Sequence, residues 1–150
     1  MDILCHVECK LTIDNVIESV LYNGEVLEVS GPLSTWEVAN SFGFKSCDRQ
    51  NPGSLIINGS DYESGNNCYS GGFIMHCTAS DPLSPWNNFV SDRTHWRVNG
   101  DLPFCSKGAG WLAQGGRESY PSVEYFYGKG AEEIWINAKE ASFIGSPGSP

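Results

Sequence analysis

The sequence predicts an all-β protein, an antiparallel β-sandwich of the jelly-roll type with about eight short strands and disulfide bonds. Short runs of alternating apolar and polar residues are separated by glycine, asparagine, serine and proline, which are the common turn residues. Apolar residues do not recur at the spacing of an amphipathic helix over more than two turns. Six cysteines are dispersed along the chain, as in a disulfide-stabilised domain.

The first strand has the clearest pattern. Residues 5–13 alternate strictly between cysteine or aliphatic side chains and polar ones, so the sequence predicts a half-buried strand. Cys5 and Cys9 then share the inner face, and we expect each to form a disulfide with a separate loop rather than with the other. Asp14 and Asn15 follow as a turn.

A hairpin is predicted next. Residues 17–22 and 25–29 have the pattern of strands on either side of Asn23 and Gly24. Both turn residues tolerate a positive φ angle, which a two-residue hairpin turn requires. The spacing of Ser34 and Glu37 matches a capping box, so a single helical turn is expected over Thr35–Asn40.

The rest of the chain alternates between short strands and long loops. Further strands are predicted at residues 54–58, 72–77, 94–98, 123–127, 132–136 and 142–144. Two long loops lie between them, at residues 78–93 and 106–122. One β-sandwich domain is expected over residues 1–145, and residues 146–150 are a Gly/Ser/Pro linker or tail.

Charge and cysteine content restrict the class of partner and the compartment. The formal net charge is −9 with no basic patch, which disfavours nucleic acid and anionic lipid. No stretch has transmembrane length, so no membrane insertion is predicted. The six cysteines allow up to three disulfides and predict secretion into an oxidising environment. The alternative is a cytosolic protein with reduced cysteines in its core. The sequon formed by Asn58, Gly59 and Ser60 agrees with secretion.

Several short motifs resemble one known family. The opening strand with Asp14 and Asn15, the strand ending at Asn23 and Gly24, the strand at 72–77, and the later positions Ser91, Asp92, Trp96, Trp135 and Phe143 carry the likeness. Together they are similar to galactose-binding-domain-like jelly rolls. The resemblance implies the fold, and the family includes lectins, carbohydrate-binding modules and adhesion domains. No ligand residue of the family is transferred to this chain.

The two long loops carry the candidate binding residues. Sugars are bound by stacking on aromatic rings and by hydrogen bonds from amide, carboxylate and guanidinium groups. The candidate binding residues are Trp86, Asn87, Asn88, Asp92, Arg93, Trp111, Arg117 and Tyr120. Asp81 is a further candidate acceptor in the first loop. The alternative for the two loop tryptophans is burial at an end of the sandwich, which is the favoured interpretation for Trp86. Trp36, Trp96 and Trp135 are predicted to lie in the core.

A metal site is a second possibility. Asp61, Glu63 and Asn66 form the densest oxygen-ligand segment and could coordinate calcium. Their spacing is not that of an EF-hand, and a polar turn between strands is the favoured alternative. No other cofactor is predicted.

The predicted function is a secreted, non-enzymatic recognition domain that binds carbohydrate or glycoprotein through residues 78–93 and 106–122. One alternative is a structural or adhesive extracellular module whose partner is protein or mineral. A third is a glycan-active hydrolase or lyase, which requires two titratable groups converging in a cleft. Of the three histidines, His6 and His76 are interpreted as ordinary strand residues, whereas His95 lies beside a long loop.

Overall fold

The computed structural model describes residues 5–14, 16–34, 38–60, 71–99, 103–105, 121–138 and 140–148. Within them, nine strands and one helix follow each other along the chain. The strands are β1 (His6–Asp14), β2 (Val16–Tyr22), β3 (Glu25–Val26), β4 (Asn40–Lys45), β5 (Leu55–Ser60), β6 (Gly71–Ala79), β7 (Trp96–Val98), β8 (Ile134–Ile136) and β9 (Glu140–Gly145). The helix, α1, spans Pro121–Gly128.

The strands form two antiparallel sheets that pack face to face, which confirms the predicted β-sandwich. The four-stranded sheet has the order β4-β1-β6-β8, and the five-stranded sheet has the order β3-β2-β5-β9-β7. Because side chains alternate between the faces of a strand, each sheet presents one apolar face to the other. The jelly-roll connectivity stays a prediction.

The alternation in β1 builds the centre of the core. Val7, Leu11 and Ile13 are buried between the sheets, whereas Glu8 and Lys10 are exposed on the opposite face. β1 lies between β4 and β6, so its inward side chains contact apolar residues from both neighbours. The predicted half-buried strand is confirmed.

The disulfides tie β1 to its two neighbours. Cys5 is bonded to Cys47, just after β4, and Cys9 is bonded to Cys77 in β6. Cys105 is also disulfide-bonded, and no described cysteine is free. The expectation that Cys5 and Cys9 do not bond to each other is confirmed. The expectation of a loop partner for Cys9 is wrong, because its partner lies directly opposite on a neighbouring strand. Such bonds are typical of an oxidising compartment.

The hairpin between β2 and β3 turns at Asn23 and Gly24, as predicted. Tyr22 pairs with Glu25 across the turn. The φ angles are 48° at Asn23 and 83° at Gly24, the positive pair that a type I′ turn requires. β3 ends at Val26 and is shorter than expected.

One predicted strand is a helix. Residues 123–127 form the middle of α1, in which Val123 and Phe126, three positions apart, are buried. The aromatic residues of this segment favour a strand, but its apolar positions have the helical spacing. Pro121 begins the helix, where its missing N–H costs nothing.

The strand β4 is not predicted by the sequence. Phe42 and Phe44 alternate inward in this strand, which pairs with β1. Asn40 is the first residue of β4, so the single helical turn expected over Thr35–Asn40 does not reach Asn40. Residues 35–37, including Trp36, lie outside the described part of the chain.

The helix covers the outer face of the four-stranded sheet. A second apolar cluster forms there from Ile74, Cys105, Val123, Phe126, Ala131 and Trp135. Trp96 and Trp135 are both buried, as predicted. Ser146, assigned to the tail, is also buried, and its hydroxyl donates to the Gly53 carbonyl at 2.7 Å. Along the described ranges, no helix combines the length and the apolar character needed to cross a membrane.

Candidate functional site

The loop between β6 and β7, residues 80–95, is the part of the predicted binding surface that the structure describes. Its tryptophan, Trp86, has no exposed surface. The Trp86 Nε1 donates a hydrogen bond to the Pro52 carbonyl at 2.9 Å, and the ring packs edge-on against Phe44 and Phe89. No face of this ring is open to a ligand, so Trp86 is removed from the candidate site. Burial at an end of the sandwich, the alternative favoured from the sequence, describes its position.

The two asparagines after Trp86 shape the loop. The backbone N–H of Ala79 donates to Asn87 Oδ1 at 3.1 Å. Asn88 has a φ angle of 60°, a left-handed conformation that asparagine tolerates better than most residues. Its Oδ1 lies 3.2 Å from His76 Nε2. The amide oxygens of both residues are therefore engaged within the protein.

Asp92 and Arg93 are held in a similar way. Asp92 Oδ1 accepts two backbone N–H bonds from the residues that follow, and Oδ2 lies 2.9 Å from His95 Nδ1. The backbone N–H of Arg93 donates to the Glu132 side chain at 3.4 Å. The Arg93 guanidinium lies 5.8 Å from the centre of the Phe104 ring. These contacts hold the two predicted ligand residues, Asp92 and Arg93, within the loop between β6 and β7.

The three histidines have partners other than a nucleophile. His6 Nε2 lies 3.2 Å from a carboxylate oxygen of Glu8, and His95 pairs with Asp92. His76 is hydrogen-bonded to Asn88 and to a tyrosine of α1. In the described ranges, no serine or cysteine side chain is hydrogen-bonded to any of these imidazole rings.

A cleft of about 650 Å³ opens where the chain leaving β4 faces the start of the 80–95 loop. Its size lies in the range of small-molecule sites. The lining side chains are mainly hydroxyl, carboxylate and guanidinium groups. They belong to Cys5, Ser46, Cys47, Asp48, Arg49, Asp81, Ser84 and Pro85.

An ion pair forms part of the lining of this cleft. Arg49 donates to Asp81 Oδ2 from Nη2 at 2.6 Å and from Nε at 3.1 Å. The other oxygen, Oδ1, accepts the backbone N–H of Leu83 at 2.9 Å. This backbone hydrogen bond and the guanidinium hold the pKa of Asp81 below its usual range. The cleft therefore contains a carboxylate whose charged form is favoured, beside a guanidinium that has further N–H donors.

The walls of the cleft are fixed by short-range bonds. The Cys5–Cys47 disulfide joins the start of β1 to the chain after β4. Asp48 Oδ1 accepts the backbone N–H groups of Gln50 and Asn51, forming a turn around Arg49. These contacts preorganise the polar groups, which reduces the entropy lost when a ligand binds.

A second, shallower cleft of about 500 Å³ lies on the outer face of the five-stranded sheet. It contains the sequon residue Asn58, whose amide nitrogen donates to Ser19 Oγ at 2.9 Å and whose Oδ1 accepts from Ser142. The exposed carboxylates of Glu18 and Glu140 lie at its edge. The sequon asparagine is thus part of a hydrogen-bonded row across three strands.

The remaining predicted site residues lie outside the described part of the chain. These are the loop residues Trp111, Arg117 and Tyr120 and the calcium candidates Asp61, Glu63 and Asn66. Among the residues that the structure does describe, no group of three metal-ligating side chains occurs.

Comparison with family models, curated proteins and solved structures finds no match. The chemistry of the clefts is therefore the basis for a functional proposal.

Arg49 is a site residue that sequence reasoning missed. It follows the strand β4, which the sequence does not predict, and its partner Asp81 is 32 residues away. The sequence contains one local signal for this turn. Cys47 is followed directly by the charged residues Asp48 and Arg49, as expected of a polar turn next to a disulfide.

Proposed function

We propose that this protein is a secreted carbohydrate-recognition domain and that the cleft lined by Arg49 and Asp81 binds a saccharide. The observation that carries the proposal is this ion pair in the lining of a cleft that also contains the Cys5–Cys47 disulfide. It lies at the 80–95 loop, within the region that the sequence indicates.

The groups in the cleft suit a neutral sugar. A carboxylate accepts hydrogen bonds from sugar hydroxyls and a guanidinium donates to them, so Arg49 and Asp81 can engage neighbouring hydroxyls of one ring. Ser46 and Ser84 add hydroxyl groups that donate or accept. The two carboxylates, Asp48 and Asp81, disfavour a phosphate or nucleic-acid ligand by repulsion. The sequence motifs that resemble galactose-binding-domain-like jelly rolls agree with this choice, because that family includes lectins.

An adhesive module that binds protein would use a flat apolar face instead. The outer face of the five-stranded sheet has a cross-strand row of aliphatic residues, in which Val26, Leu21, Ile56 and Ile144 are successive partners. Only Val26 in this row is extensively exposed, at 73%. A concave polar cleft with a fixed ion pair favours the saccharide.

A glycan array followed by calorimetric titration tests the proposal. The folded protein is tested against neutral monosaccharides and oligosaccharides, once with calcium and once with a chelator. We expect binding of at least one neutral glycan. Removing one charge-assisted hydrogen bond by Arg49→Gln or Asp81→Asn should weaken that binding about 10-fold or more.

Arg97→Gln is the matched control. Arg97 is an exposed arginine on β7 and does not line the cleft. This variant should bind as the wild type does, and thermal unfolding checks that all three variants fold. Absence of binding to every glycan, or unchanged binding by Arg49→Gln, would overturn the proposal. Binding only with calcium would add a metal to the site.

A further inference from the structure

Two lysines from distant parts of the chain converge on one aromatic ring. Lys10 Nζ lies 5.1 Å from the centre of the Tyr125 ring, and Lys129 Nζ lies 5.6 Å from it. Lys10 belongs to β1 on the outer face of the four-stranded sheet, whereas Lys129 follows α1, which packs on that face. The fold, rather than local sequence, therefore brings both ammonium groups together.

The ring is held in place by a chain of hydrogen bonds. His76, directly opposite Lys10 in the sheet register, is buried, with 2% of its surface exposed. Its Nε2 lies 3.2 Å from Asn88 Oδ1, which can only accept, so Nε2 carries the proton. Nδ1 is then the acceptor for the Tyr125 hydroxyl, also at 3.2 Å. Tyr125 is thus oriented from beneath while 39% of its surface stays exposed.

Neither lysine forms an ion pair with a residue that the structure describes. No carboxylate oxygen within the described ranges lies within 4.0 Å of Lys10 Nζ or Lys129 Nζ. The pKa of His76 is lowered, first by burial and also by these two lysines. Both ammonium groups therefore lie within 5.6 Å of one ring centre, on a chain whose formal net charge is −9.

We infer that Lys10, Lys129 and Tyr125 form a second binding site, which takes a sulfate or carboxylate group carried on a saccharide. The ammonium groups donate charge-assisted hydrogen bonds to the anionic oxygens. The exposed part of Tyr125 beside them can contact C–H groups of the sugar. The choice of a saccharide rests on the proposed function, whereas the need for an anion rests on the two lysines alone.

Calorimetric titration at low ionic strength tests this site with three oligosaccharides of equal length, one neutral, one sulfated and one containing uronic acid. The wild type should bind at least one acidic oligosaccharide about 10-fold or more tightly than the neutral one. The double variant Lys10→Gln/Lys129→Gln should lose that preference. Lys45→Gln is the matched control, since Lys45 is an exposed lysine of the same sheet and should leave affinity unchanged.

The variants also separate this site from the cleft. The double variant Lys10→Gln/Lys129→Gln should leave the binding of neutral glycans in the cleft unchanged, because neither lysine lines the cleft, so failure of this site and failure of the cleft give different results. Equal binding of neutral and acidic oligosaccharides, an unaffected double variant, or an equal loss in Lys45→Gln would overturn the inference. Inorganic sulfate or an acidic peptide binding as tightly as the acidic saccharide would overturn the saccharide assignment.

Discussion

Trp96 lies against the backbone of Gly145, the residue directly opposite it on the neighbouring strand. A Cβ atom at position 145 would lie 2.3 Å from the indole ring. Trp135 and Gly72 repeat this arrangement in the other sheet, with a corresponding distance of 2.4 Å. In each sheet a glycine thus provides the space in which a buried tryptophan packs against its neighbour strand.

Gly145→Ala should therefore destabilise the protein, because the added methyl group forces the Trp96 ring out of its position. Overpacking of this kind costs about 1–3 kcal/mol, and Gly72→Ala should behave in the same way. The free energy of unfolding in urea gives the comparison. The control is Gly128→Ala, where a Cβ would have nothing within 4 Å. Equal stability of Gly145→Ala and Gly128→Ala would show that the tryptophan does not pack as described.

The disulfide between Cys9 and Cys77 should contribute strongly to stability. It joins adjacent strands at the centre of the core and closes a loop of 68 residues. Replacing both cysteines with alanine should lower the free energy of unfolding by roughly 4 kcal/mol on the loop-entropy model. Mass spectrometry with and without reductant checks the oxidation state first. Finding free thiols at these two positions in the native protein would contradict the assignment.

The hairpin turn gives a test of local backbone geometry. At Gly24 the φ angle is 83° and a Cβ would meet no atom within 4 Å. A side chain at this position would therefore be disfavoured by backbone conformation alone and not by a steric clash with neighbouring residues. Gly24→Val should cost roughly 1–2 kcal/mol, because a β-branched residue disfavours a positive φ. Gly128→Val, at an open position without a positive φ, is the control. Unchanged melting of Gly24→Val would show that the turn assignment is wrong.

His76 should make stability depend on pH in the mildly acidic range. Its folded-state pKa is lowered, mainly by burial, so the unfolded chain takes up the proton at a higher pH than the folded one. The stability that His76 contributes is complete above its ordinary pKa of about 6.5 and falls as the pH drops below that value. His76→Gln can keep both hydrogen bonds without titrating. Denaturant unfolding across the neutral to mildly acidic range should thus show a smaller loss for this variant, and identical pH profiles would contradict the role of His76.

Elements with a local cause can be predicted from the sequence, and those set by packing cannot. β1 alternates over nine residues, and Asn23 with Gly24 specifies a turn by itself, so both are predicted correctly. In β4 the outward residues are Ser41, Gly43 and Lys45, which have low strand propensity. This segment forms a strand because it pairs with β1. The aromatic residues of α1 suggest a strand. The helix is favoured because Val123 and Phe126, three positions apart, both pack against β6.

The candidate cleft can be predicted only in part for the same reason. The loop that contains Asp81 stands out in the sequence for its polar and aromatic residues. Most of these, among them Trp86 and Asp92, bond or pack within the protein. Arg49 joins Asp81 because β4 and β6 both flank β1, a relationship between distant segments that no local motif encodes.

A titration followed by NMR tests the saccharide-binding cleft most directly. The ¹⁵N-labelled protein is titrated with a panel of neutral monosaccharides and disaccharides, and the backbone amide shifts are mapped onto the structure. Binding in the cleft predicts that the shifts cluster at Arg49, Asp81 and Ser84 and disappear in Asp81→Asn. Shifts confined to the outer face of the five-stranded sheet around Asn58, or no shift with any saccharide, would contradict the account.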